Sequence, residues 1–135
     1  MALSANELRI GNLVYYHIKD PLDERKEWDE VSPVDWDDLR ILTEFKDNPE
    51  YRSIPLSEEW LLKLHSEEEI EKSGRFPNEI TIYDRFLFIY KSEYKYWYVV
   101  TAYHKEYLTK IEFLHEYQNF IRDLTGEELV IKDHK

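Results

Sequence analysis

The chain has 135 residues, with 29 Asp and Glu against 18 Lys and Arg, and a formal net charge of −11. That balance opposes wrapping by DNA or RNA, whose affinity comes largely from neutralised phosphates. No cysteine is present, which excludes disulfides and thiolate metal sites, and no run approaches the roughly 20 apolar residues of a membrane span.

An aromatic fraction of 16% separates the chain from disordered sequences, which are poor in aromatics. The length predicts one α+β domain over residues 1–135. The opening MALSANELRI lacks the basic flank and apolar core of a signal peptide, so the cytoplasm is the expected location.

Ile10 to Ile18 reads as a first strand, with Gly11-Asn12 as a turn or bulge ahead of the β-prone LVYYHI. A polar loop follows from Lys19 to Glu27. Trp28 to Val34 reads as a second strand, and Pro33 favours a sheet edge. Asp35 to Phe45 fits two patterns. Asp35 caps a helix through Leu39 and Leu42, or RILTEF forms a strand, and the strand is the preferred expectation.

Ser57 starts a helix: its hydroxyl can cap free backbone N–H groups, and Glu58 and Glu59 suit the positive end of the dipole. Trp60, Leu61 and Leu64 give that helix an apolar stripe. A second short helix is expected over Glu67 to Lys72. Residues 80–103 read as an antiparallel meander of ITIY, FLFIY and YWYVVTAY. Its turns are expected at Asp84-Arg85 and Lys91-Ser92-Glu93.

Thr109 and Glu112 have the spacing of a capping box. Phe113, Leu114, Tyr117, Phe120, Ile121 and Leu124 then repeat at helical spacing, and Gly126 follows as a C-cap. On that wheel His115, Gln118, Asn119 and Arg122 form an exposed polar stripe. Glu127 to Ile131 is expected to return as a strand. The predicted architecture is a small, SH3-like N-terminal β-region, a central helix, and a meander covered by the amphipathic C-terminal helix.

The motifs of common catalytic sites are absent. Gly11, Gly74 and Gly126 lie too far apart for a phosphate-binding loop. His115-Glu116 begins a zinc-protease pattern, but Asn119 stands where the second histidine belongs. Asp35-Trp36-Asp37-Asp38 lacks the glycine and late glutamate of a calcium loop. No cofactor, metal or catalytic residue is therefore assigned, and a hydrolase or metal enzyme built on the acids is the least favoured class.

Charge is concentrated instead. Between Asp20 and Asp38 nine acids face only Arg25 and Lys26, which accounts for seven of the eleven net negative charges. Trp28 and Trp36 lie within this stretch. Asp23, Glu24, Glu27, Trp28, Asp29, Glu30, Asp35, Trp36, Asp37 and Asp38 form a candidate docking patch for a protein with a basic surface. The plain alternative is a solubilising face. The helix stripe His115, Gln118, Asn119 and Arg122 is a second candidate contact site.

An opposite signal lies in residues 85–110. Arg85, Lys91, Lys95, Lys105 and Lys110 interleave with Tyr90, Tyr94, Tyr96, Trp97, Tyr98, Tyr103 and Tyr107, a pattern also used for single-stranded nucleic acid. Core and cross-strand packing is the more ordinary use of such residues, and the overall charge disfavours a nucleic-acid partner.

Three phrases, ELRIGNLVYY at 7–16, IPLSEEWLLKL at 54–64 and FLHEYQNFIRDLTGEELVI at 113–131, resemble a family of small proteins encoded in prophages and mobile elements of Bacteroidota. That family carries E-L-R-I-G-N-x-V, I-P-L-T-E-E-W-L-L-K-F-G-F and H-x-L-Q-N-x-x-x-x-L-T-G-E-E-L in this order. Here His65-Ser66 replaces the central G-F, and Tyr117 replaces the leucine before Q-N. The acidic stretch stands where the family has a short hairpin. The family has no established activity, so no functional residue carries over. The resemblance implies a phage or mobile-element context; with the missing catalytic motifs and the focused negative charge, the expected function is a non-enzymatic accessory protein that binds another protein. A sharper expectation, from the acidic patch, is a counter-defence inhibitor, anti-CRISPR-like or mimicking nucleic acid through its acids.

Overall fold

The computed structural model describes residues 7–23, 25–44, 48, 50–65, 69–72, 79–126 and 129. Among them the element order is β1 (Leu13–Lys19), β2 (Glu27–Pro33), α1 (Trp36–Glu44), β3 (Tyr51–Arg52), α2 (Glu58–Leu64), β4 (Ile70–Lys72), β5 (Glu79–Ile82), β6 (Phe86–Lys91), β7 (Tyr96–Thr101), β8 (Tyr107–Ile111) and α3 (Leu114–Thr125). This is the expected α+β class. Contacts gather into two compact units, Met1–Pro55 with Leu114–Glu128, and Leu56–Phe113 with Leu129–Lys135.

In the first unit the antiparallel sheet has the order β2-β1-β3. Residues pair from Leu13 with Pro33 to Lys19 with Glu27. The acidic stretch therefore does not replace a hairpin; it supplies the loop and second strand of one. Pro33 lies on an edge strand, where its missing N–H breaks no ladder in the sheet interior. Because strand side chains alternate, Val14 and Tyr16 share a face with Tyr51. Val14 and Tyr51 form a buried cluster with Leu8, Val34 and Leu42, against which Tyr16, Leu39 and Ile41 pack.

Residues 36–44 are helical, correcting the strand expected at RILTEF, whose last residue lies outside the described residues. The reason is a reciprocal cap: the Asp38 N–H donates to Asp35 Oδ1 and the Asp35 N–H to Asp38 Oδ2, each at 2.9 Å. This is the capping-box arrangement with aspartate at both ends. Helical spacing then sets Leu39 and Leu42 on the side facing the sheet, and burying Leu42 contributes about 2 kcal/mol.

α3 also belongs to this unit and packs on β1. It begins at Leu114, whose N–H donates to the Ile54 carbonyl at 2.7 Å. The capping box expected at Thr109 and Glu112 is not its start, because Thr109 lies in β8. Gly126, at φ +78°, ends the helix with its N–H on the Arg122 carbonyl at 2.8 Å, as a left-handed C-cap does. Leu124 is exposed, and the buried face comprises Leu114, His115, Tyr117, Gln118 and Ile121. His115 and Gln118 are thus interior residues, which corrects the exposed stripe.

The polar residues of that stripe tie the helix to the segment before β1. Gln118 Oε1 accepts the Leu13 N–H at 2.7 Å, and its Nε2 donates to the Gly11 carbonyl at 3.3 Å. Gly11 sits at φ +94°, a conformation that favours glycine. Asn119 accepts from Asn12 Nδ2 at 2.9 Å and donates to the Glu7 carbonyl at 3.2 Å. Arg9 reaches Asp123 at 2.6 Å. Burial lowers the pKa of His115 below its ordinary 6.5, against the opposing pull of Glu116 and Glu7.

In the second unit the sheet order is β4-β5-β6-β7-β8. Ser57 caps α2, its hydroxyl accepting the Trp60 N–H at 3.3 Å, and Trp60, Leu61 and Leu64 are buried. Trp97 Nε1 donates to the Leu56 carbonyl at 3.0 Å, and His65 meets Tyr83 edge-on at 5.2 Å. The helix expected over Glu67 to Lys72 is corrected: 70–72 form β4, with Ile70 opposite Ile82, while 66–68 lie outside the described residues. A six-residue helix has too few bonds to offset its nucleation cost, whereas a strand joins an existing ladder.

The first meander turn is centred one residue earlier than expected. Tyr83 and Asp84 have φ near +55°, and the Arg85 N–H reaches the Ile82 carbonyl at 3.1 Å, a tight two-residue hairpin turn. The strand expected at Glu127 to Ile131 lies almost wholly outside the described residues.

Replacing Gln118 with Leu keeps the bulk but takes the acceptor from a buried backbone N–H. The expected cost is about 1–3 kcal/mol, read as a lower urea midpoint at unchanged slope. An unchanged midpoint would show that Gln118 does not anchor α3.

Candidate binding surfaces

The acidic stretch is organised around its own partners. Asp29 on β2 lies opposite His17 on β1, with Asp29 Oδ1 2.8 Å from His17 Nδ1. Glu27, two residues away on the same face, lies 3.3 Å from His17 Nε2. Arg52 on β3 donates to the other oxygen of Asp29. One ion cluster thus spans all three strands.

Other acids of the patch shape the backbone. Asp23 Oδ1 accepts the Arg25 N–H at 3.1 Å in the hairpin loop. Asp35 and Asp38 cap α1, and Asp38 Oδ1 accepts the Tyr51 hydroxyl at 2.7 Å. Those amide bonds hold the Asp35 carboxyl below its ordinary range. Burial, then the bond to Asp38, pushes the Tyr51 hydroxyl up. Glu24 lies outside the described residues.

What remains outward is narrower than the original ten residues. Trp28 is 43% exposed and donates through Nε1 to Glu30 at 3.0 Å. Trp36, the first residue of α1, is 76% exposed. Asp37 is exposed, with Arg40 3.9 Å away. Leu22 and Val31 are also exposed on this stretch. Of the helix stripe, Arg122 is exposed, Asn119 is hydrogen-bonded to the N-terminal segment, and His115 and Gln118 are interior.

A second surface lies on the outward face of the meander. The two-residue period places Trp97 and Val99 inward, both buried, and Tyr96 and Tyr98 outward, both half-buried. Tyr94, Tyr96, Tyr98 and Tyr107 form a row, with successive ring centroids 5.5, 5.0 and 5.9 Å apart. The Tyr96 and Tyr98 hydroxyls bond each other at 2.8 Å. This bond, with burial and neighbouring tyrosines, pushes Tyr96 up to about 12. Lys110 Nζ lies 5.3 Å from the Tyr96 ring, and Lys91 Nζ 6.0 Å from the Tyr98 ring, both within cation–π range. Beside the β6–β7 turn, Tyr90, Lys91, Ser92, Glu93, Tyr94 and Tyr98 line an open cleft of about 340 Å³.

Among the described residues no group of three or more His, Asp or Glu is placed to hold a metal ion, and no helix is long and apolar enough to cross a membrane. No family model, curated protein or solved structure matches the chain. The sequence reading missed Arg52 and His17 as partners of Asp29, since neither is near it in the chain. The outward tyrosine row was within reach, because strand alternation separates Tyr96 and Tyr98 from Trp97 and Val99.

Hydrogen bonds donated to Asp29 and then to Glu27 raise the pKa of His17 above 6.5. The contribution of its charged form is complete below about 6.5 and is lost as pH rises through the folded value. Asp29 is held below its ordinary 3.8, first by His17 and also by Arg52. Its contribution is present above that value and is lost as pH falls through the folded one. An NMR titration should place the His17 midpoint above 6.5, and Asp29→Asn should return it toward that value. A wild-type midpoint at or below 6.5 would contradict the cluster.

Proposed function

We propose that this chain is a non-enzymatic accessory protein that acts by binding another protein, and that the partner presents a basic surface. The observation that carries this reading is the pair of exposed tryptophans, Trp28 and Trp36, set among exposed carboxylates beside an edge strand. Tryptophan is the residue type most enriched among interface hot spots. Surrounding negative charge steers a basic partner and makes association sensitive to salt. The phage and mobile-element context rests on the three phrases at 7–16, 54–64 and 113–131. In its sharper form, the partner is a host defence nuclease whose nucleic-acid groove receives carboxylates in place of phosphates.

The structural acids Asp29, Asp35 and Asp38 are poor positions for testing this, because changing them alters the hairpin and the helix cap. Trp28→Ala with Trp36→Ala leaves those contacts in place. In paired affinity capture from host lysate, the wild type should retain a basic protein that the double variant loses and that about 0.5 M salt releases. At a hot spot each tryptophan should account for about a 30-fold change in Kd. Equal retention of the same proteins by both forms would overturn docking through this face.

A further inference from the structure

We propose that the outward face of the meander binds single-stranded nucleic acid by stacking bases on the row Tyr94, Tyr96, Tyr98 and Tyr107. This surface lies within the second unit and is independent of docking through the acidic hairpin. Tyr94 and Tyr107, at the ends of the row, are 63% and 59% exposed. Every base has a π-face, so stacking on aromatic rings holds a single strand without reading its sequence. Lys91 and Lys110 lie over the Tyr98 and Tyr96 rings; a stacking base takes that place, and each ammonium, displaced on its flexible stem, turns to a phosphate of the strand.

The net charge of −11 does not fall on this surface. Between residues 79 and 113, Glu79, Asp84, Glu93, Glu106 and Glu112 are balanced by Arg85, Lys91, Lys95, Lys105 and Lys110. Glu79 is placed across the outward face from Lys110, through Ile89 and Tyr98, so the positive side of the platform is the β8 edge. Glu93 lines the open cleft at the β6–β7 turn together with Lys91, so at that end Lys91 makes the phosphate contact beside a carboxylate.

Recognition through base faces predicts indifference to the sugar. Two phosphate contacts predict a shallow salt dependence, with log K falling against log salt at a slope of about −1.4.

The test is fluorescence anisotropy of the full chain with labelled oligothymidine and oligouridine of about twelve nucleotides, at low salt. Both should bind, within tenfold of each other. Tyr96→Ala should weaken binding between about fivefold and a hundredfold, while Tyr96→Phe retains it. Tyr107→Ala, at an exposed position, should weaken it without lowering the melting temperature. Lys110→Gln should reduce the salt slope by about 0.7. No anisotropy change at low salt would overturn the proposal. So would wild-type binding in both alanine variants, a more than tenfold preference for one sugar, or equal binding of polyglutamate.

Discussion

Crowded negative charge is the constraint on which the first unit is arranged. Nine acids in nineteen residues would repel one another along an extended strand, and an edge strand has a neighbour on one side only. Asp29 lies where that repulsion is relieved, with His17 of β1 and Arg52 of β3 both on its carboxylate. Exposed ion pairs contribute little individually, but here they join into one cluster that links β2 to β1 and β3. Asp35 and Asp38 relieve charge differently, by accepting free backbone N–H groups at the start of α1.

The hairpin in turn depends on where β1 begins, and that point is held from far along the chain. Gln118 takes the Leu13 N–H, Asn119 takes Asn12, and Asp123 takes Arg9. Residues 9–13 and 118–123 are therefore in direct contact, with helix α3 closing the unit opened by β1. Acid acts oppositely on the two histidines of this unit: it favours the charged His17 and opposes the neutral, buried His115.

Local signals were legible where a single cap or alternation decided the outcome. Ser57 marked α2, Gly126 the end of α3, Pro33 an edge strand, and the β-rich runs of residues 80–101 the meander. The errors have physical sources. RILTEF suits either state, and the Asp35–Asp38 cap with the apolar face of α1 decided it. Thr109 lies in a strand because Ile111 pairs with Trp97 and Lys110 with Tyr98, contacts that local spacing does not encode. His115 and Gln118 fall on the polar side of the wheel, but polarity is not exposure: the buried face of α3 is turned toward them and Leu124 lies outside. Gln118 is buried because two backbone groups need it. The same error enlarged the acidic patch, since carboxylates that cap, turn or pair are not available to a partner.

The central claim is that the acidic stretch folds into a paired strand whose Asp29 is met by His17 and Arg52, and leaves its tryptophans outward. Hydrogen exchange at the β2 amides tests this most directly. Alternate amides between Glu27 and Pro33 should exchange slowly, as in one antiparallel ladder with β1, and Arg52→Gln should speed them. Uniformly fast exchange across the segment in the wild type would contradict the account, because an unpaired acidic stretch cannot hold Trp28 and Trp36 in place for a partner.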